Sequence, residues 1–148
     1  MSASADQQPS VPMILWGAFL MSHLLIGGAA WLVVTENGPT GGAPPELLWV
    51  ITALGIAMPV VAPMVSRMLV RNLSASTGDA PTQELLGQLF PAIIVGFALR
   101  EAGAIFAFVS LLLFGDGIWW AVPAGVAFAA HLVAPPTQRQ IELLAGRR

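Results

Sequence analysis

The residues of this chain with chemistry to offer share one depth of an apolar sequence. Glu101 falls near the middle of the long apolar run 89–113, next to Arg100, and the first apolar run carries Ser22 and His23. An ionisable side chain at mid-membrane costs about 2.5 to 3.5 kcal/mol on insertion scales, so it is kept with a partner or for a use. The use that fits a buried carboxyl is binding a proton or a sodium ion in turn with that partner. Glu101 is therefore the candidate ion-binding residue, with Arg100, His23 and Ser22 as a supporting polar layer. The rival reading is structural, with Arg100, Glu101 and His23 forming a satisfied polar knot that sets helix register. Under that reading Arg100→Leu alone destabilises by roughly 3 to 5 kcal/mol, and replacing both charges by apolar residues recovers much of the loss.

The elements that hold these residues follow from composition. Of 148 residues, 56% are hydrophobic and 9% charged, against about 25% charged in ordinary soluble domains. The expected class is all-α, a four-helix transmembrane bundle forming one integral membrane domain over residues 1–148. Its spans are placed at 11–34, 47–70, 89–113 and 118–134, with a tail at 135–148. Residues 35–45 are a string of breakers and form a loop. Pro59 and Pro63 interrupt the second span, which should kink or leave carbonyls for neighbours to satisfy. A short helical lead over 84–86 precedes the third span, with Pro91 as a bend. The turn at 114–117 makes the fourth span antiparallel to the third. Trp119 and Trp120 suit an aromatic belt. Ile141, Leu144 and Ala145 at helical spacing give the tail the pattern of a short surface helix or a frayed end.

Orientation is read from arginine. The first loop and the 114–117 turn contain none, whereas Arg67, Arg71, Arg139, Arg147 and Arg148 mark the other side. The positive-inside rule then puts both termini and the middle loop in the cytoplasm, in a multi-pass protein of a bacterial-type inner or plasma membrane. A weak repeat, Val61-Ala62-Pro63 with Arg67 and Val133-Ala134-Pro135 with Arg139, suggests a duplicated helical hairpin. Aligning the first and third spans sets Ser22 opposite Glu101.

Several functions are set aside. A net charge of -2 offers no basic surface for nucleic acid, and no Cys is present to supply a thiol or cluster ligand. No nucleophile–base pair or phosphate loop stands out, so neither catalytic nor cofactor-binding residues are expected and the chain is not expected to be an enzyme. Two His are too few for a metal set. Helical rise places Glu101 and His23 roughly 15 to 20 Å deep and His131 about 10 Å shallower, which argues against a haem held between the two His. Small residues at Ala121, Gly125 and Ala129, at Ala98 and Ala102, and at Gly103 and Ala107 suit close helix contact within a bundle or a ring of subunits. The expected partners are the lipid bilayer and either further copies of the chain or a larger membrane complex.

The segment Ala98-Leu99-Arg100-Glu101-Ala102-Gly103-Ala104-Ile105-Phe106, with the apolar tail that follows, resembles the carboxylate-bearing helix of the rotary ATPase c subunits, or proteolipids. The resemblance implies that Glu101 is an ion-carrying carboxylate and that the chain takes part in proton or sodium transport. It covers about one span of the four. The family's glycine-dense partner helix has no counterpart here, since the second span holds Gly55 alone, and Arg100 beside the carboxylate is foreign to the family's helix. Proteolipids with four helices carry the carboxylate on an even-numbered helix, and here it is on the third.

Overall fold

The computed structural model describes residues 10–73, 82–115 and 117–137. They form α1 (Ser10–Asn37), α2 (Pro45–Leu73), α3 (Thr82–Phe114) and α4 (Gly117–Leu132), with no strand among the described residues. The first three are long and apolar enough to cross a bilayer, and the chain is a small all-helical membrane protein. Their extents match the expected spans to within a few residues, apart from α3. That helix absorbs the 84–86 lead and runs through Pro91. Two expectations, the tail helix and the repeat's Arg139, lie outside the described residues.

α4 departs from the expected fourth span. At 16 residues it is about 24 Å long, short of the roughly 30 Å hydrocarbon thickness. Apolar composition continues past Leu132, but Pro135 and Pro136 cannot donate to a helical ladder, and residues 134–137 run on as irregular backbone. α4 therefore ends inside the bundle. In lipid its last carbonyls need partners from the protein. One is supplied by the Trp16 indole, whose Nε1 donates to His131 O at 2.8 Å.

α3 is the central post. α1 and α2 each pack against the α3–α4 hairpin and not against each other. The α2–α3 contact is set by proline and glycine together. Pro59 has no N–H, so the Gly55 carbonyl one turn earlier loses its helical donor. A Cβ on Gly103 would lie 2.8 Å from that carbonyl and 2.6 Å from Pro59 Cδ. Gly103 thus turns a Cα hydrogen towards the freed oxygen, a weak but recurrent helix–helix contact. Pro123 repeats the device in α4. It frees Trp119 O, which accepts a long 3.4 Å bond from Thr52 Oγ1 on α2. A third point is Ser66 Oγ, buried and donating to Ala92 O at 3.1 Å, in space left by Gly96. Both prolines of α2 lie inside one continuous helix, and the carbonyl freed by Pro59 is met by Gly103.

The helix ends are closed locally. Gly38 and Gly115 adopt positive φ (74° and 65°) and donate to Val34 O and Leu111 O, as left-handed caps of α1 and α3. Thr40 N then bonds Leu112 O at 2.9 Å, tying the first loop to the end of α3. The Trp31–Trp120 and Trp49–Trp119 ring pairs sit at this end of the bundle, opposite Arg67 and Arg71. Of the small-residue faces, Gly103 and Ala107 are buried, whereas Ala121, Gly125 and Ala129 are exposed and unused within the chain.

Overpacking at the α2–α3 contact is the expected weak point, because the atoms in the way are backbone and a proline ring. Gly103→Ala should cost about 1 to 3 kcal/mol in reversible unfolding from mixed micelles. Gly28→Ala, with nothing within 4 Å of the new carbon, should leave the same midpoint unchanged or slightly raised.

Candidate functional site

Three helices bring the polar residues together. Ser22 and His23 lie on the face of α1 that meets α3, Glu101 projects from α3, and His131 occupies the last turn of α4. Ser22 Oγ lies 2.6 Å from Glu101 Oε1 and 2.7 Å from Phe19 O. His23 Nδ1 is 2.7 Å from Phe19 O and 3.1 Å from Glu101 Oε2, with the two side chains 3% and 13% exposed. The rings of His23 and His131 meet edge to face with centroids 4.7 Å apart. Phe19, Phe97 and Phe128 pack around the two imidazoles.

The hydrogen-bond partners constrain where the protons can sit. A carbonyl only accepts, so the 2.7 Å contact with Phe19 O puts the hydrogen of His23 on Nδ1. The ion-pair distance from that nitrogen to Glu101 Oε2 is met, but the bond geometry is not, and Oε2 is left without a hydrogen-bond donor. His131 follows the same rule, its Nδ1 donating to Ala127 O at 3.3 Å. Both Nε2 atoms are buried without a partner among the described residues, and each is an acceptor in the neutral ring. Ser22 has one hydrogen and two acceptors in reach. With Glu101 ionised the hydroxyl donates to Oε1. With Glu101 protonated on Oε1, the carboxyl donates to Ser22 Oγ while the hydroxyl hydrogen turns to Phe19 O. Both protonation states are accommodated without moving a heavy atom.

The structure thus gathers Ser22, His23 and Glu101 and parts Arg100 from them. Neighbours on a helix point about 100° apart, and Arg100 faces α2 and the segment after α4 while Glu101 faces α1. Arg100 makes no ion pair with Glu101. Among the described residues the one ion-pair contact is that of His23 with Glu101. The polar knot built on an Arg100–Glu101 pair is therefore corrected: the carboxylate is held by a hydroxyl beside an imidazole.

The depth estimate for His131 is also corrected. Counting rise from the end of a full fourth span placed it about 10 Å from the level of His23, yet their rings touch. The error lies in the span, because α4 stops one residue after His131 and that residue marks the inner end of a short helix. Depth therefore does not separate the two His, and a haem between them is tested by ring spacing instead. Centroids 4.7 Å apart leave no room for a porphyrin between two axial imidazoles, each of whose ring centres stands about 3 Å from the iron. Among the described residues no three His, Asp or Glu side chains are placed to hold a metal ion.

Comparison with protein-family models, with curated proteins and with solved structures finds no match. The class that fold and site define is a small membrane protein with four helices among its described residues, three of them long and apolar, and a carboxyl–hydroxyl–imidazole cluster between them.

The separation of the two charges changes the expected mutant behaviour. Replacing Arg100 and Glu101 together by Leu should give a bundle no more stable than Arg100→Leu alone, because the second change strips Ser22 and His23 of their neighbour and relieves no pair. Recovery of several kcal/mol in the double variant, read by unfolding in micelles, would restore the paired reading.

Proposed function

We propose that this membrane protein handles a proton at Glu101 in the bilayer interior, with His23 and His131 as the adjoining proton acceptors. The observation that carries the reading is the Ser22 hydroxyl between two acceptors, Phe19 O at 2.7 Å and Glu101 Oε1 at 2.6 Å. That arrangement serves a carboxyl that changes protonation state, whereas a permanently ionised structural carboxylate is best served by dedicated donors. The two unpartnered Nε2 atoms add acceptor capacity next to it. Intramembrane carboxyl and imidazole groups facing a bundle interior are the usual parts of proton relays. The resemblance of α3 to the proteolipid carboxylate helix supports the same assignment for Glu101. On this reading the chain is a non-catalytic subunit, associated with further copies or a larger membrane complex. It sits in a bacterial-type inner or plasma membrane, with its arginine end and both termini on the cytoplasmic side.

A second reading rests on α1, which exposes most of its apolar surface, including Ile14, Leu25 and Trp31. Beyond packing, its ties to the rest of the chain include Ser22, His23 and Trp16. Here the cluster is an assembly latch that seats α1.

Glu101→Gln separates the two. The amide oxygen still accepts from Ser22, so α1 stays docked and the unfolding midpoint holds, while proton uptake into proteoliposomes should vanish. Flux equal to that of the parent protein would overturn the proton reading and leave the latch. In the parent protein, labelling of Glu101 by a hydrophobic carbodiimide needs the protonated acid and should fall as pH rises. Protection by sodium at fixed pH would name sodium as the ion. Absence of labelling at every pH would mark Glu101 as shielded.

A further inference from the structure

Arg100 is the buried charge that the Glu101 cluster leaves unexplained. It is 8% exposed, forms no ion pair among the described residues, and its Nε is buried with no hydrogen-bond partner. A guanidinium is always charged and is costly to hold at that depth without a counter-charge. It lines a cavity of about 110 Å³ between α2, α3 and the irregular segment after α4, and Arg67 lines the same cavity. Two arginines thus border one small space, and no Asp or Glu is among its lining residues in the described part of the chain. The C-terminal end of α4 turns partial negative charge this way, yet none of the carbonyls there accepts a bond from Arg100 among the described residues.

The rest of the wall is apolar. Ile93 and Phe97 come from α3, and Pro63 and Pro135 face in from α2 and the post-α4 segment. Ser66 spends its hydrogen on Ala92 O, which leaves the two arginines as the side-chain donors. Planar guanidiniums pair bidentately with carboxylate or phosphate oxygens, and a volume several times that needed by one water admits a tetrahedral oxyanion. Arg67 lies six residues before the end of α2, about 9 Å by helical rise, so the cavity lies between Arg100 and the arginine-bearing end of the bundle.

From this geometry we infer that the cavity bounded by Arg67 and Arg100 is a phosphate-binding site, filled by the phosphate of an anionic lipid headgroup or by a free phosphate ion. The site is independent of the Glu101 cluster, which faces α1.

The test uses the full chain, purified and delipidated in a nonionic detergent, with phosphatidic acid, phosphatidylcholine and inorganic phosphate as probes. Native mass spectrometry should retain phosphatidic acid over phosphatidylcholine, and the same lipid should raise the unfolding midpoint. Arg100→Gln should weaken retention by about tenfold or more, the loss expected for a charge-assisted bidentate contact. Arg67→Gln, at an exposed position that does not threaten the fold, should weaken it severalfold. Arg71→Gln, exposed on the same helix and not a lining residue, should leave it unchanged. Equal protection by inorganic phosphate would identify the free ion as the source; protection by phosphatidic acid alone would identify the headgroup. Lack of protection by either phosphate probe, or an Arg71→Gln loss matching that of Arg67→Gln, would overturn the site.

Discussion

The contact on which the bundle depends is the one between Pro59, Gly55 and Gly103. In water a carbonyl stripped of its helical donor is solvated; in hydrocarbon it has to find a neighbour within the protein. Pro59 creates such a carbonyl at Gly55, and Gly103 is the residue that lets α3 come close enough to meet it. Apolar burial gives little net drive between helices in lipid, so backbone approach of this kind supplies much of the cohesion. With α2 and α3 held so closely, the cavity below them and the α4 hairpin beside them take their shape.

Two polar systems share α3 without sharing residues. On the α1 side, Glu101 meets a hydroxyl and an imidazole, with the second imidazole behind. On the α2 side, Arg100 looks onto a cavity with Arg67. Helical geometry separates them, because one residue of advance turns the side chain through about 100°. Adjacent opposite charges in sequence are then read by different neighbours. The Arg-Glu dipeptide faces two environments and is not one pair.

How much of this was legible in the sequence depends on the period involved. The three long spans, the tight turn after Phe114 and the helical class follow from apolar run length and from Gly and Pro punctuation, and α1 to α3 obey that rule. The proximity of Ser22 and His23 to Glu101 was legible as equal depth in two spans of like direction. What failed was hydropathy as a guide to where a helix stops. Residues 133 and 134 are as apolar as those before them, and only Pro135 and Pro136 signal that the backbone has left the helix. Taking that stop for the membrane surface, and counting depth from it, hid the contact of His131 with His23. The role of Arg100 was illegible for another reason, since a helical angle says which neighbours differ but not which helix supplies them.

The early end of α4 bears on how the chain enters the membrane. A 16-residue helix followed by irregular backbone is a poor solitary span, because its remaining terminal carbonyls would face hydrocarbon without donors. It becomes stable only once Trp16 of α1 caps it and α2 and α3 wall off the chain that follows. α4 is therefore expected to settle as a span only once the other helices are there to supply its missing partners. The expected order of assembly follows from hydrogen-bond partners more than from hydrophobicity.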